Sequence, residues 1–139
     1  MKSIRSLFLA FALLPLGALA STGEATAHFD AIAKGDLAAL KSQYSEHVVL
    51  EWVGGPLDGT YKGAAQVAEL WKKFTHANPD LQVKVADLKE ATNDKGSTVT
   101  ANVLYGGKSR IKVRYVLTYR DGKIAAETWQ VDPKLEFGS

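Results

Sequence analysis

A helical pattern that stops at Gly35-Asp36, a short run rich in apolar and aromatic residues, a second helical pattern and then four alternating runs follow one another along this chain. That order constrains the fold more than composition does, because helices placed ahead of a sheet bury their apolar stripes only by covering one of its faces. The expected architecture is α+β: a cone-shaped, curved antiparallel sheet with N-terminal helices and one further helix enclosing a pocket.

The first helical pattern carries Ala25, Phe29, Ile32 and Ala33. Gly35 fits its C-terminal stop, and Asp36 fits the cap of a second short helix bearing Leu37 and Leu40, so that the two helices form one apolar lid. The run over 47–53, His-Val-Val-Leu-Glu-Trp-Val, has strand character and ends at Gly54-Gly55-Pro56. Asp58-Gly59 falls in a turn, and Tyr61 leads into Gly63. The next helix is the clearest element: Val67, Leu70, Trp71 and Phe74 stand at i, i+3, i+4 and i+7, and Asn78-Pro79 stops it. Strands are then predicted over 81–91, 97–105, 109–119 and 123–131, with turns at 93–96, Gly106-Gly107 and Asp121-Gly122 between them. Asp-Gly between two alternating runs is the strongest hairpin signal of the chain. The four strands make an antiparallel meander.

Lys2 and Arg5 precede an almost wholly apolar stretch over 7–19, and Ala18-Leu19-Ala20 supplies the small residues a signal peptidase requires. Residues 1–20 therefore read as a cleaved signal peptide. A membrane anchor is the poorer reading, since a spanning helix needs roughly 20 apolar residues and Pro15 and Gly17 interrupt this run. The domain is expected over 21–133, periplasmic or secreted and free of the membrane after cleavage. Residues 134–139 spell dipeptides encoded by common cloning sites and read as a vector-derived or frayed tail.

Of the 17 basic residues two lie in the leader, and none of the 15 acidic ones does, so the mature chain is formally neutral. Nucleic acid is therefore not an expected partner, because phosphate binding needs a concentrated positive footprint. The basic stretch from Lys108 to Arg114 alternates like the solvated face of a strand. With no Cys, no disulfide framework exists and a core must hold the fold. No Gly-x-Gly-x-x-Gly, phosphate loop or serine elbow occurs, so no cofactor is expected. His28, His47 and His76 lack Cys companions and i, i+4 pairing, so no metal site is expected, and the last two fall near element ends and take no role.

Alternation assigns faces. Val99, Ala101, Val103 and Tyr105 share one side, as do Ile111, Val113, Tyr115, Leu117 and Tyr119, and as do Ala125, Glu127, Trp129 and Val131. Glu127 is the anomaly, since a carboxylate among apolar neighbours needs a partner or a purpose. Two readings stay open: a pocket acid or base whose pKa is raised by desolvation, or a residue turned outward by a one-residue bulge or solvated at the open end of the cone.

The segment Phe29-Asp-Ala-Ile-Ala-Lys-Gly-Asp-Leu-Ala-Ala-Leu40, the strand at 47–53, Gly59-Thr-Tyr-Lys-Gly63 entering a helix with Trp71, and Asp121-Gly-Lys-Ile-Ala-Ala-Glu-Thr-Trp129 together resemble the nuclear transport factor 2-like superfamily, nearest to its SnoaL-like group. The likeness runs over 24–133. It implies a cystatin-like cone, in a superfamily that hosts isomerases, dehydratases, cyclases, epoxide hydrolases and non-catalytic binding domains. Aligning Gly35-Asp36 with the Gly-Asp of ketosteroid isomerases puts Trp52 where the general-base Asp would stand, His28 at the oxyanion Tyr and Tyr115 at the oxyanion Asp. A Trp cannot abstract a proton, so isomerase chemistry of that type is not implied. Many SnoaL-like proteins close on Glu-His-Trp-Asp; here Glu127-Thr128-Trp129-Gln130 lacks the His and Asp, which argues against polyketide cyclisation.

His28, Tyr115 and Glu127 are the candidate trio for acid, donor and base work, and Trp52, Trp71, Phe74, Tyr105 and Trp129 are the candidate ligand-binding walls. Ordinary core packing uses the same aromatic residues. Three functions remain: an exported domain binding a small apolar or amphipathic molecule, a small lyase or isomerase working through the trio, and a homodimeric interaction module with a filled core.

Overall fold

The computed structural model describes residues 17–138, with side chains from Ser21 onward. The leader expected over 1–20 therefore lies outside the described residues, except for the backbone of 17–20. The elements run α1 (Gly17–Lys34), α2 (Leu37–Gln43), β1 (Tyr44–Val53), β2 (Gly59–Lys62), α3 (Ala64–Ala77), β3 (Gln82–Asn93), β4 (Gly96–Gly106), β5 (Arg110–Arg120) and β6 (Lys123–Val131). One six-stranded sheet carries the order β2-β1-β6-β5-β4-β3. α1 packs against β3 and β4, and α3 against β1 and β2, so the helices cover one face of a curved, unclosed sheet.

Local chemistry explains the helix boundaries. Gly35 sits at φ 69, a conformation glycine adopts without penalty. Its amide donates to the Ile32 carbonyl at 3.2 Å and that of Asp36 to Ala31 at 2.9 Å, the paired bonds of a Schellman stop. The Asp36 carboxylate then accepts from the Ala39 amide at 3.1 Å and starts α2. On α3, Val67, Leu70, Trp71 and Phe74 are buried, as their spacing predicts, and full burial of such a side chain stabilises by roughly 1.5–3 kcal/mol. Leu37 departs from expectation. It is 39% exposed, and Leu40 is the buried residue of α2, with Ala39 packed partly beside it: a helix of seven residues presents only one narrow stripe.

The meander β3-β4-β5-β6 forms as expected, and Asp121 and Gly122, both at positive φ, make the two-residue turn between Arg120 and Lys123. The sheet is not antiparallel throughout: β1 pairs with β6 in parallel, Leu50 opposite Glu127 and Trp52 opposite Trp129. Strand β1 also begins at Tyr44 rather than at residue 47, and the segment expected as a turn leading into Gly63 contributes the short strand β2 against β1. The face assignments hold for β4 and, apart from half-buried Ile111, for β5. On β6 they need correction, because the register slips between Thr118↔Ala126 and Tyr119↔Ile124. Ala125 is the extra residue, Ile124 takes the inward position in its place, and Glu127 and Trp129 keep theirs. A bulge is thus present, but it does not turn Glu127 outward. In the tail, Leu135 is buried and its carbonyl accepts from the Lys112 ammonium at 2.7 Å.

Candidate functional site

His28 on α1 and Glu127 on β6 are 0% and 1% exposed, so the solvated reading of Glu127 is also overturned. The His28 Nε2 lies 3.0 Å from Glu127 Oε2, and its Nδ1 lies 2.7 Å from Gln43 Oε1 at the end of α2. A carboxylate and an amide oxygen both accept, so this placement favours a ring that donates from both nitrogens, as an imidazolium does. Burial alone would lower the His28 pKa; the Glu127 charge and hydrogen bonds to Glu127 and Gln43 together outweigh it and hold the pKa above its ordinary value.

The second carboxylate oxygen is also engaged. Tyr44, the first residue of β1, donates its hydroxyl to Glu127 Oε1 at 2.5 Å, and that hydroxyl accepts from Trp71 Nε1 at 2.7 Å. Burial, and next the Glu127 charge, push the Tyr44 pKa well above the usual phenol range, so it remains a neutral donor. The network Trp71–Tyr44–Glu127–His28–Gln43 is therefore a buried ion pair with hydrogen-bond partners at both carboxylate oxygens and both ring nitrogens, the condition under which burying charge is tolerated.

Of the expected trio, His28 and Glu127 meet. Tyr115 does not join them: its ring stands edge-on to His28 at 6.5 Å, and its hydroxyl faces that of Tyr105 at 3.5 Å. Tyr44 occupies the role proposed for Tyr115. The inward alternation of Trp52, Leu50 and Val48 breaks at exposed Glu46, where the register of β1 against β6 shifts, so no regular period pointed to Tyr44.

The five expected wall aromatics form one cluster. Trp129 stacks between Trp52, at 4.1 Å and 17°, and Tyr105, at 5.4 Å and 9°. Trp71 and Phe74 stand against Trp129 at 5.6 and 5.2 Å with steep interplanar angles. Rings so placed gain beyond area burial through their quadrupoles. They plug the interior of the cone, and only Trp52, Phe74 and Trp129 reach the cavity at its mouth.

That cavity holds about 680 Å³, between the 54–57 loop, the end of α3 and the adjoining ends of β5 and β6. Leu57, Ile111 and Val131 complete its apolar lining, and Lys73, Arg110 and Lys112 stand among the lining residues. His28, Tyr115 and Glu127 do not line it. Trp52 Nε1 donates to the Gly54 carbonyl at 3.1 Å, which ties the wall to the loop. Among the described residues, the indole N–H of Trp129 is buried with no acceptor. A smaller crevice of about 160 Å³ between α2 and α3 reaches Tyr44 and Trp71 from the outside. No group of three or more His, Cys, Asp or Glu side chains among the described residues is placed to hold a metal ion, and no helix among them is long and apolar enough to cross a membrane.

The fold is shared with known structures. A nuclear transport factor 2-like protein of unknown function from Pseudomonas putida KT2440 superposes with a TM-score of 0.72 at 15% identity, over 86% of this chain and 89% of that one. A cystatin-like protein of unknown function from Nostoc punctiforme gives 0.69 at 15% identity, over 88% and 96%. A ketosteroid isomerase-like protein from Erwinia carotovora atroseptica gives 0.66 at 14%, over 85% and 98%. At such identities the likeness establishes the fold alone. No curated protein matches the chain in sequence. The family model of the SnoaL-like domain matches residues 25–127, from the first buried alanine of α1 to the buried glutamate of β6. The chain accordingly belongs to the SnoaL-like domain family of the nuclear transport factor 2-like superfamily.

Proposed function

We propose that this is an exported binding domain, periplasmic or secreted, that takes a small apolar or amphipathic molecule into the cavity at the mouth of the cone. One observation carries the reading: the cavity floor is apolar and aromatic, while the buried acid–base pair lies behind that floor and does not line the cavity. A molecule seated there is desolvated against Trp52, Phe74 and Trp129 but meets neither His28 nor Glu127, so binding is favoured over proton transfer. The test is a titration with phenylnaphthylamine, a neutral apolar fluorophore. Trp52→Ala should weaken its binding roughly tenfold, the scale of one lost aromatic contact. Equal affinity in Trp52→Ala and in an Ile111→Asp variant would sink the reading.

A second reading, a small lyase or isomerase working through His28 and Glu127 with Tyr44 in the place expected for Tyr115, draws on the crevice that borders Tyr44, the residue that holds Glu127. It requires turnover that disappears in Glu127→Gln while the fold persists. Turnover that survives this substitution removes Glu127 from any mechanism.

A further inference from the structure

We infer that the ligand of the mouth cavity is an organic anion, an apolar body carrying one carboxylate or sulfonate group. This deepens the binding function proposed above and rests on it. The mature chain is formally neutral, yet the cavity lining includes three cations and no acid. They come from two elements that face each other across the opening: Lys73 from α3, Arg110 and Lys112 from β5.

None of the three meets an acid among the described residues. Lys73 and Arg110 have no ion pair among the described residues, and Lys112 spends one donor on the Leu135 carbonyl, which leaves its charge intact. The acids flanking the cavity in sequence are turned to other tasks. Asp58 accepts from the Gly54 amide at 2.7 Å, and Asp132 faces Arg114 at 3.5 Å. The other polar side chains at the opening, those of Asn78 and Ser109, carry no negative charge.

Like charges held near one another without a counter-ion raise the local positive potential, and an anion entering an apolar cleft beneath them gains more than it would on open surface. An ammonium ligand would be drawn to the indole faces by the ring quadrupole but repelled by three lysine and arginine charges at the same opening. A neutral ligand would make no use of them.

The test compares two fluorophores with the same ring body: anilinonaphthalene sulfonate, which is anionic, and phenylnaphthylamine, which is neutral. The purified protein at low salt should bind the sulfonate about tenfold more tightly, and Lys73→Gln with Arg110→Gln should remove that advantage, as expected for the loss of a charged contact. Arg120→Gln, remote from the cavity, should alter the affinity of neither probe. Circular dichroism checks that each variant is folded. Equal affinity for both probes, or a preference that survives the double substitution, overturns the anion inference and leaves the binding reading standing. Probe binding that ignores Trp52→Ala, or no binding of either probe, overturns the binding reading itself and the inference with it.

Discussion

Glu127 and Trp129 lie two residues apart on the same side of β6, yet they belong to opposite kinds of environment. Glu127 closes a sealed polar network between α1, α2 and β1. Trp129 floors an open apolar cavity. The first region is a set of polar side chains shut away from water; the second is walled by aromatic rings and carries cations at its opening. A carboxylate at an inward strand position is therefore not by itself an active-site acid; what surrounds it decides, and here His28 and the Tyr44 hydroxyl hold it.

The sharpest way to break this contrast is to remove the carboxylate. Glu127→Ala should destabilise the protein by about 3–5 kcal/mol, because it leaves the His28 charge buried without its partner. Urea denaturation measures the loss, and phenylnaphthylamine titration of the remaining folded protein should give unchanged affinity. A stable Glu127→Ala variant with altered binding would merge the two regions into one site.

Trp71 touches both regions, donating to Tyr44 while its ring stands 5.6 Å from Trp129. Trp71→Phe removes the donor and part of the volume, and a loss of about 1–3 kcal/mol is expected in denaturant midpoint measurements. A loss too small to detect would mean that Tyr44 holds Glu127 without help.

The pH dependence has a defined sign. The folded pKa of His28 lies above its ordinary value, so its contribution is fully present below the unfolded pKa of about 6.5 and is lost as pH rises through the folded value. Melting temperature should therefore fall across the alkaline side of that range, and His28→Gln should flatten the slope. A profile that rises with pH would contradict the imidazolium. The smallest effect belongs outside both regions: Leu37→Ser, at an exposed position on α2, should change stability by no more than about 0.5 kcal/mol.

Much of the fold was legible from local chemistry. The α3 stripe, the Gly35-Asp36 junction and the Asp121-Gly122 hairpin each depend on residues within a few positions of one another, and each stands where periodicity and turn chemistry place it. The site was legible in part. His28 and Glu127 were identifiable as polar residues on apolar faces, but their contact spans 99 positions of sequence. Tyr44 was missed because it stands at a helix-to-strand junction, where the period changes and neither pattern extends far enough to assign it.

The sequence by itself determined the inward residues of α3, β4 and most of β5, because a helix and a strand each sort side chains with a fixed short period. It also determined the order of elements and the family. Tertiary structure alone decided that β1 lies parallel to β6 and that one bulged residue, Ala125, turns Ile124 inward. It alone decided that Tyr44 rather than Tyr115 meets that carboxylate, and that the aromatic cluster divides a sealed ion pair from an open cavity. These outcomes depend on register and curvature summed over strands far apart in the chain, where packing density and hydrogen-bond satisfaction, not local period, select the arrangement.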